Sequence, residues 1–153
     1  MKKTRFLSTI ACLSALALPY GAVTAGIVQN SATVCQNFYA GQQDAIDYVE
    51  YGVRNVDLIN DHFVVCPLGV AHSNKAMGSV TVRYRSAKPI NCYFYTHEAG
   101  DKELGMVAVP LKPSATGVKV AASIPQTLRS THVALCALPA KAAGVVMSFE
   151  NNF

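Results

Sequence analysis

The fold is decided by residues 79–97, which read SVTVRYRSAKPINCYFYTH. Apolar side chains fall mostly on the even-numbered positions of both halves, and Lys88 and Pro89 interrupt the alternation between them. Alternation of apolar and polar residues is typical of a β-strand with one buried face, and a Pro at such a break marks a turn. The stretch therefore predicts two antiparallel strands, joined as a hairpin, with the even-numbered side chains in the core.

The odd-numbered side chains of this hairpin are expected on its outer face, because successive side chains of a strand point to opposite sides. They include a set of aromatic and cationic residues: Arg83, Arg85, Tyr93, Tyr95 and His97. Tyrosine rings beside guanidinium groups can stack on sugar rings or on a neighbouring subunit. These five residues are the candidate site for a ligand or a partner. The alternative is that a loop covers this face and the tyrosines join a second small cluster.

The same alternation continues along the chain and predicts about eight strands and no long helix. The strands are rich in Val, Tyr, Phe and Thr, and Gly, Pro, Asn and Ser separate them. We therefore expect an all-β, two-layer antiparallel β-sandwich of jelly-roll or immunoglobulin-like kind. The candidate strands are residues 45–54, 62–66, 79–85, 90–97, 105–112, 117–123, 131–138 and 144–150.

The N-terminus has the pattern of a secretory signal peptide. Lys2, Lys3 and Arg5 precede an apolar run over residues 6–18, and small residues follow it. This run is shorter than the roughly 20 residues that a membrane-crossing helix needs. We expect residues 1–25 to be cleaved, and residues 26–153 to form a single domain that is exported to the periplasm or out of the cell.

Export also changes the charge balance of the protein. Three of the thirteen basic residues lie in residues 1–25, so ten remain against nine acidic residues. Nucleic acids and anionic membrane surfaces are bound through clustered Lys and Arg. The sequence therefore predicts no nucleic-acid partner, and no later segment is long and apolar enough to predict a membrane span.

Four cysteines remain in the exported part: Cys35, Cys66, Cys92 and Cys136. An even number of cysteines in an oxidising compartment favours two disulfides. Of the three possible pairings we favour Cys35–Cys66 and Cys92–Cys136, because the first ties down the N-terminal segment and the second joins two strands. A zinc site is the alternative use, but the four are evenly spread and form no C-x-x-C pair. No metal is predicted.

The spacing of cysteines and strands resembles that of a loose group of small exported proteobacterial proteins. The shared pattern consists of Cys35, the Cys-Pro-Leu of residues 66–68, Cys92, the Cys-Ala-Leu-Pro of residues 136–139 and a closing strand at residues 144–150. It covers most of residues 35–150. The resemblance implies the sandwich, the two disulfides and export, and it brings no catalytic or binding residues with it.

The sequence carries no recognisable catalytic motif. The nucleophile elbow G-x-S-x-G is absent, and the histidines lack the spacing of paired metal ligands. Asp61 beside His62, and His97 beside Glu98, would point to opposite faces of a strand. We therefore predict neither a catalytic residue nor a cofactor.

Two classes of function remain, and an enzyme comes third. The first is a non-catalytic interaction or structural module that binds a protein partner or copies of itself, with residues 26–34 and 149–153 as edge strands that add to a neighbour. The alternative is glycan or small-ligand binding at the five outward residues. The third is a hydrolase whose site the sequence does not reveal.

Overall fold

The fold is seen in a computed structural model, which describes residues 28–72, 75–98 and 102–153. The predicted signal peptide, residues 1–25, lies outside these ranges. Within them the chain forms two antiparallel sheets and two short 3₁₀ helices, Ala32–Val34 and Ala40–Ala45. The predicted all-β, two-layer sandwich is confirmed. None of the helices in these ranges has the length and apolar character needed to cross a membrane.

Eleven strands occur in the described residues. In chain order they are β1 (Val28–Ser31), β2 (Gln36–Asn37), β3 (Ile46–Val49), β4 (Gly52–Asn55), β5 (His62–Val70), β6 (Met77–Ser86), β7 (Ile90–His97), β8 (Glu103–Leu111), β9 (Ser114–Pro125), β10 (Thr131–Leu138) and β11 (Gly144–Asn152). The first sheet has the order β3-β4-β11-β6-β9, with β1 also paired to β11, and the second has the order β2-β5-β10-β7-β8. Most connections from β5 onward pass from one sheet to the other, which favours the jelly-roll form of the sandwich.

The strand boundaries differ from the prediction mainly near the N-terminus. Residues 45–54, predicted as one strand, form the β3–β4 hairpin with Glu50 and Tyr51 in its turn. Alternation does not reveal β2, because two residues are too few to show it, whereas β1 lies within residues 26–34, which are expected to form an edge strand. By contrast, β7 and β10 coincide with the predicted ranges 90–97 and 131–138.

Residues 79–97 do not form the predicted hairpin. β6 pairs with β11 and β9, whereas β7 pairs with β10 and β8, so the two strands belong to different sheets. Alternation tells which side chains face the core, and the even-numbered residues of both strands are indeed buried. It does not tell which sheet a strand joins. Because the two sheets face each other across the core, the odd-numbered side chains of β6 and β7 point to opposite outer surfaces.

The C-terminal segment is not a free edge. β11 pairs with β6 on one side, and with β1 and β4 on the other. The expectation that residues 149–153 add an edge strand to a neighbouring molecule is therefore wrong. Within the other predicted edge, residues 26–34, the described strand β1 is bound to β11 of the same chain.

The core lies between the sheets and includes two disulfides. Phe94 of the second sheet meets Phe149 of the first edge to face, with ring centroids 6.4 Å apart. The disulfides are Cys35–Cys66 and Cys92–Cys136, the pairing favoured above. They join residues 31 and 44 positions apart. In a chain-entropy model, each then stabilises the fold by about 4 kcal/mol, because it restricts the unfolded chain.

Candidate functional site

The outer surface of the first sheet contains two adjoining cavities that share Tyr51, and together we call them the Tyr51 groove. Their volumes are about 470 Å³ and about 480 Å³, within the roughly 300–1,000 Å³ typical of small-ligand sites. The first is lined by Tyr51, Arg54, Arg85, Ser86, Ala87, Ser114, Ala115, Ala142, Ala143 and Val145. The second is lined by Gln29, Ser31, Tyr51, Arg83, Met147 and Ser148.

A tight turn places Tyr51 in both cavities. The residue lies in the β3–β4 turn, and 49% of its surface is exposed. A Cβ atom on the next residue, Gly52, would meet the carbonyl oxygen of Val146 on β11. The close approach of β4 to β11 therefore requires glycine at this position. This close approach brings the β3–β4 turn against β11, where the pairing of β11 with β6 shifts register between Val146 and Ser148. Tyr51 lines the second cavity together with Met147 and Ser148.

Two of the three arginines that line the groove are paired with carboxylates. Arg54 donates from Nε and Nη2 to Oδ2 of Asp47, at 2.8 Å and 2.6 Å. Arg83 donates from Nε to Oε1 of Glu150 at 2.7 Å. Since each pair joins neighbouring strands of the first sheet, the two positive charges are largely balanced in place.

Arg85 differs from the other two arginines. Its Nε donates to the main-chain carbonyl oxygen of Ala115 at 3.1 Å, and its side chain is exposed at the wall of the first cavity. Within the part of the chain that the structure describes, no acidic side chain forms an ion pair with it. The first cavity therefore has an uncompensated guanidinium in its wall.

The predicted five-residue site is split between the two sheets. Arg83 and Arg85 lie together on β6 and line the groove. Tyr93, Tyr95 and His97 lie on β7, partly buried, on the opposite side of the sandwich. The expectation that all five share one face is wrong, because the chain passes from one sheet to the other between β6 and β7.

The outer surface of the second sheet is apolar, and we call it the apolar surface. Tyr93 lies between Leu135 and Ala108 of the neighbouring strands, and Tyr95 lies between Val133 and Met106. The strands β5, β7 and β10 contain no Asp, Glu, Lys or Arg. The predicted tyrosines thus lie among strands without charged side chains and not on a cationic surface.

Tyr51 is not among the residues that the sequence predicts for the site, although it is central to the groove. The residue lies in a range predicted as a continuous strand, residues 45–54, whereas it occupies a turn. The pair Tyr51-Gly52 inside an otherwise alternating run is the signal that could have found it, since an isolated Gly in a strand pattern marks a close backbone approach.

His132 is buried in a neutral hydrogen-bonded cluster. Its Nδ1 lies 3.0 Å from Oγ1 of Thr96, its Nε2 lies 3.2 Å from Oγ of Ser130, and its ring stacks on Phe153 with centroids 3.6 Å apart. Ser130 donates its hydroxyl hydrogen to the Thr127 carbonyl oxygen at 2.8 Å, so His132 donates from Nε2. A serine nucleophile needs the reverse arrangement. Burial lowers the pKa of His132 to about 4, and the cluster is structural.

A second histidine, His62, pairs with Asp57 and not with its sequence neighbour Asp61. Nε2 of His62 lies 2.8 Å from Oδ2 of Asp57, beside a cavity of about 300 Å³. Hydrogen bonds from the Asn60 main chain, His62 and the Ile59 main chain hold the pKa of Asp57 well below its usual range. The described residues that line this cavity include no Ser, Thr, Cys or Lys.

No family model matches the chain, and no curated protein is significantly similar to it. Solved structures share its fold. A carbohydrate-binding module CBM36 in complex with calcium and xylotriose is 14% identical, with a TM-score of 0.52 over 82% of this chain and 99% of that one. The CBM36-1 domain of a multidomain xylanase from the hindgut metagenome of Trinervitermes trinervoides is 9% identical, with a TM-score of 0.54 over 84% and 98%. The C-terminal CBM6 of a marine laminarinase from Zobellia galactanivorans is 13% identical, with a TM-score of 0.50 over 84% and 100%.

At these identities the likeness shows the fold alone. The sandwich is shared, and the xylotriose and calcium are bound by the module named with them. In residues 28–72, 75–98 and 102–153 no group of three or more His, Cys, Asp or Glu side chains could hold a metal ion. The described residues that line the Tyr51 groove also include no Asp or Glu side chain, the carboxylates that calcium sites commonly use.

Proposed function

We propose that the protein is an exported, non-catalytic module that binds glycans in the Tyr51 groove. The observation that carries the proposal is the exposed Tyr51 at the junction of two cavities. A sugar ring has an apolar face of C–H groups and a rim of hydroxyl groups. It is therefore bound by an aromatic side chain that covers the face and by polar groups that hydrogen-bond to the rim.

The two cavities supply both kinds of group. Tyr51 offers an aromatic face to each cavity, Ser114 offers a hydroxyl group to the first, and Gln29 and Ser31 offer polar groups to the second. Because the cavities adjoin at the tyrosine, the groove can hold consecutive sugar rings of one chain. The fold shared with three carbohydrate-binding modules agrees with this proposal.

Export of residues 26–153 after cleavage of residues 1–25 is part of the same proposal. The two disulfides support it, because such bonds form and persist in oxidising compartments. A periplasmic or extracellular protein also meets polysaccharides directly. N-terminal sequencing of the protein secreted from the full-length chain tests the cleavage position.

The test of glycan binding compares two tyrosines of the same hairpin. Tyr51 lines the groove, whereas Tyr48 on β3 is equally exposed, at 46%, and lines neither cavity. Retention of the secreted protein in affinity gels is measured with xylan, β-glucan, pectin and alginate. We expect Tyr51→Ala to weaken retention at least about tenfold, the range of one stacked aromatic contact, and Tyr48→Ala to leave it unchanged.

Two results would contradict the proposal. One is equal retention of Tyr51→Ala and Tyr48→Ala on a polysaccharide that the wild type binds. The other is a wild type that none of the four polysaccharides retains. The doubly substituted Tyr93→Ala, Tyr95→Ala protein locates the site, because binding on the apolar surface would be lost in it and binding in the groove would not.

The apolar surface supports a second candidate function, self-association. An uncharged array of tyrosine, leucine, valine and methionine side chains on an exported protein typically marks an interaction site. The occupant we propose is a second copy of the chain, since an uncharged surface meets its own copy without charge repulsion. Sedimentation of the wild type is compared with Leu135→Glu on this surface and Val118→Glu on β9 of the first sheet. We expect a dimer that Leu135→Glu alone dissociates, and a monomeric wild type contradicts the idea.

A further inference from the structure

The first cavity of the Tyr51 groove contains two guanidinium groups, and its described lining residues include no Asp or Glu. Asp47 neutralises Arg54 from outside the cavity, through two hydrogen bonds to a single carboxylate oxygen. Arg85 has no such partner in the described part of the chain. A neutral sugar does not require this positive charge, so the charge indicates which class of glycan the cavity fits.

We propose that the first cavity binds the carboxylate of an acidic sugar, a hexuronate residue of a polysaccharide, through Arg85. This inference rests on the proposed function, since it names the ligand class of the same groove. The sugar ring lies against Tyr51, and its carboxylate lies against the guanidinium.

The geometry of Arg85 suits this role. Its Nε is engaged by the carbonyl oxygen of Ala115 at 3.1 Å, which anchors the guanidinium against β9. Its two terminal amino groups have no partner in the described residues, and they are the donors that can bind both oxygens of a carboxylate at once. Alanine and valine side chains, including Val145 and Ala143, form much of the remaining wall. The described wall residues therefore bring no negative charge that would compete with a carboxylate for the guanidinium.

The two other arginines that line the groove are paired with carboxylates, so among the described lining residues the unpaired positive charge is confined to Arg85. Arg83, the nearest odd-numbered neighbour on β6, is paired with Glu150 at 2.7 Å. The exported part of the chain has ten basic and nine acidic residues, so no general attraction draws anionic polymers to the protein. Recognition of an acidic sugar therefore depends on Arg85 itself.

The experiment compares two ligands that share the same sugar backbone, oligogalacturonate and its methyl ester, by calorimetric titration of the secreted protein; the ester replaces each carboxylate by an uncharged methyl carboxylate. Sulfated dextran is the third ligand, since a sulfate ester carries the same charge in a different shape. The variants are Arg85→Gln, Arg85→Lys and a charge-matched control, Arg129→Gln, which changes an exposed arginine that lines neither cavity. Circular dichroism and the urea midpoint confirm that each variant is folded.

We expect the wild type to bind the free acid at least about tenfold more tightly than the ester. Arg85→Gln removes this difference, Arg85→Lys keeps part of it, and Arg129→Gln leaves it unchanged. The lysine result is specific to carboxylate recognition, because an ammonium group keeps the charge and loses the planar pair of donors.

Three results would overturn the inference. They are a wild type without preference for the free acid, an unchanged preference in Arg85→Gln, and binding of sulfated dextran in place of oligogalacturonate. Failure of the proposed function gives a different result, because Tyr51→Ala would then bind every ligand as the wild type does. If Tyr51→Ala loses binding while acid and ester bind alike, the groove still binds glycans and only the ligand class is wrong.

Discussion

Replacement of His132 by Gln should reduce the loss in the free energy of unfolding that occurs when the pH falls from 7 to 4.5. The imidazole is 2% exposed, and its contacts with Thr96, Ser130 and Phe153 are all made by neutral groups. Burial disfavours the charged form and lowers the pKa of His132 from 6.5 to about 4 in the folded protein. In the unfolded chain the ring is hydrated and recovers its ordinary pKa.

The sign and size of the effect follow from these two pKa values. Well above pH 6.5 the ring is neutral in both the folded and the unfolded protein, so the difference in pKa does not change the free energy of unfolding. As the pH falls from 6.5 toward 4, the unfolded chain takes up a proton that the folded protein does not, so the free energy of unfolding decreases. Between pH 7 and pH 4.5 this linkage amounts to about 2.5 kcal/mol.

Urea unfolding at pH 7, 5.5 and 4.5, followed by circular dichroism, measures the effect. The other histidines and the carboxylates are present in both proteins, so the difference between wild type and His132→Gln isolates His132. Glutamine can still accept from Thr96 and donate to Ser130, which keeps the cluster hydrogen-bonded. We expect the wild type to lose about 2.5 kcal/mol more than the variant. Equal losses in the two proteins would refute the assignment of His132 as a buried neutral base.

Three further predictions follow from single contacts. Gly52→Ala should lower the free energy of unfolding by about 2–3 kcal/mol, because the new Cβ meets the carbonyl oxygen of Val146, and an unchanged urea midpoint would contradict this. The same substitution should weaken glycan retention. Replacing both Cys92 and Cys136 by Ser should lower the free energy of unfolding by about 4 kcal/mol in non-reducing urea titrations, because the unfolded chain is no longer cross-linked; an unchanged free energy would contradict this. Asp57→Asn should weaken the dependence of the free energy of unfolding on pH below about pH 4, where the wild type loses the hydrogen bonds of its ionised carboxylate. An equal pH dependence in the wild type and the variant would contradict this.

The fold class and the buried face of the main strands could be predicted from the sequence because they depend on short-range patterns. The alternation in residues 79–97 marks the buried face of β6 and β7 correctly, since burial selects one side of a strand whichever sheet the strand joins. The partner of each strand depends on contacts between distant residues, and here the sequence is misleading. Two adjacent strands with a short connection usually form a hairpin, whereas residues 87–89 pass from one sheet to the other.

The candidate site could be predicted only in part, for the same reason. Arg83 and Arg85 are outward and close together because they share one strand, which alternation alone establishes. The groove also needs Tyr51 from the β3–β4 turn and Ser114 from β9. These residues meet Arg85 only because β4 and β6 flank β11 and β9 pairs with β6. No local pattern contains that order.

The separation of the two outer surfaces also changes what the near-neutral charge of residues 26–153 means. Read from the sequence, Arg83 and Arg85 beside two tyrosines form one cationic aromatic patch. In the fold the charges remain on the first sheet, where Glu150 balances Arg83, and the tyrosines of β7 lie on a sheet whose strands β5, β7 and β10 have no charged residue. A balanced total charge therefore conceals that the arginines lie on the first sheet and that these tyrosines lie on strands without charged residues. Because Arg85 is the arginine of the groove that no described carboxylate neutralises, its charge is available for a ligand, and the Tyr51 groove is the place where that ligand would meet it.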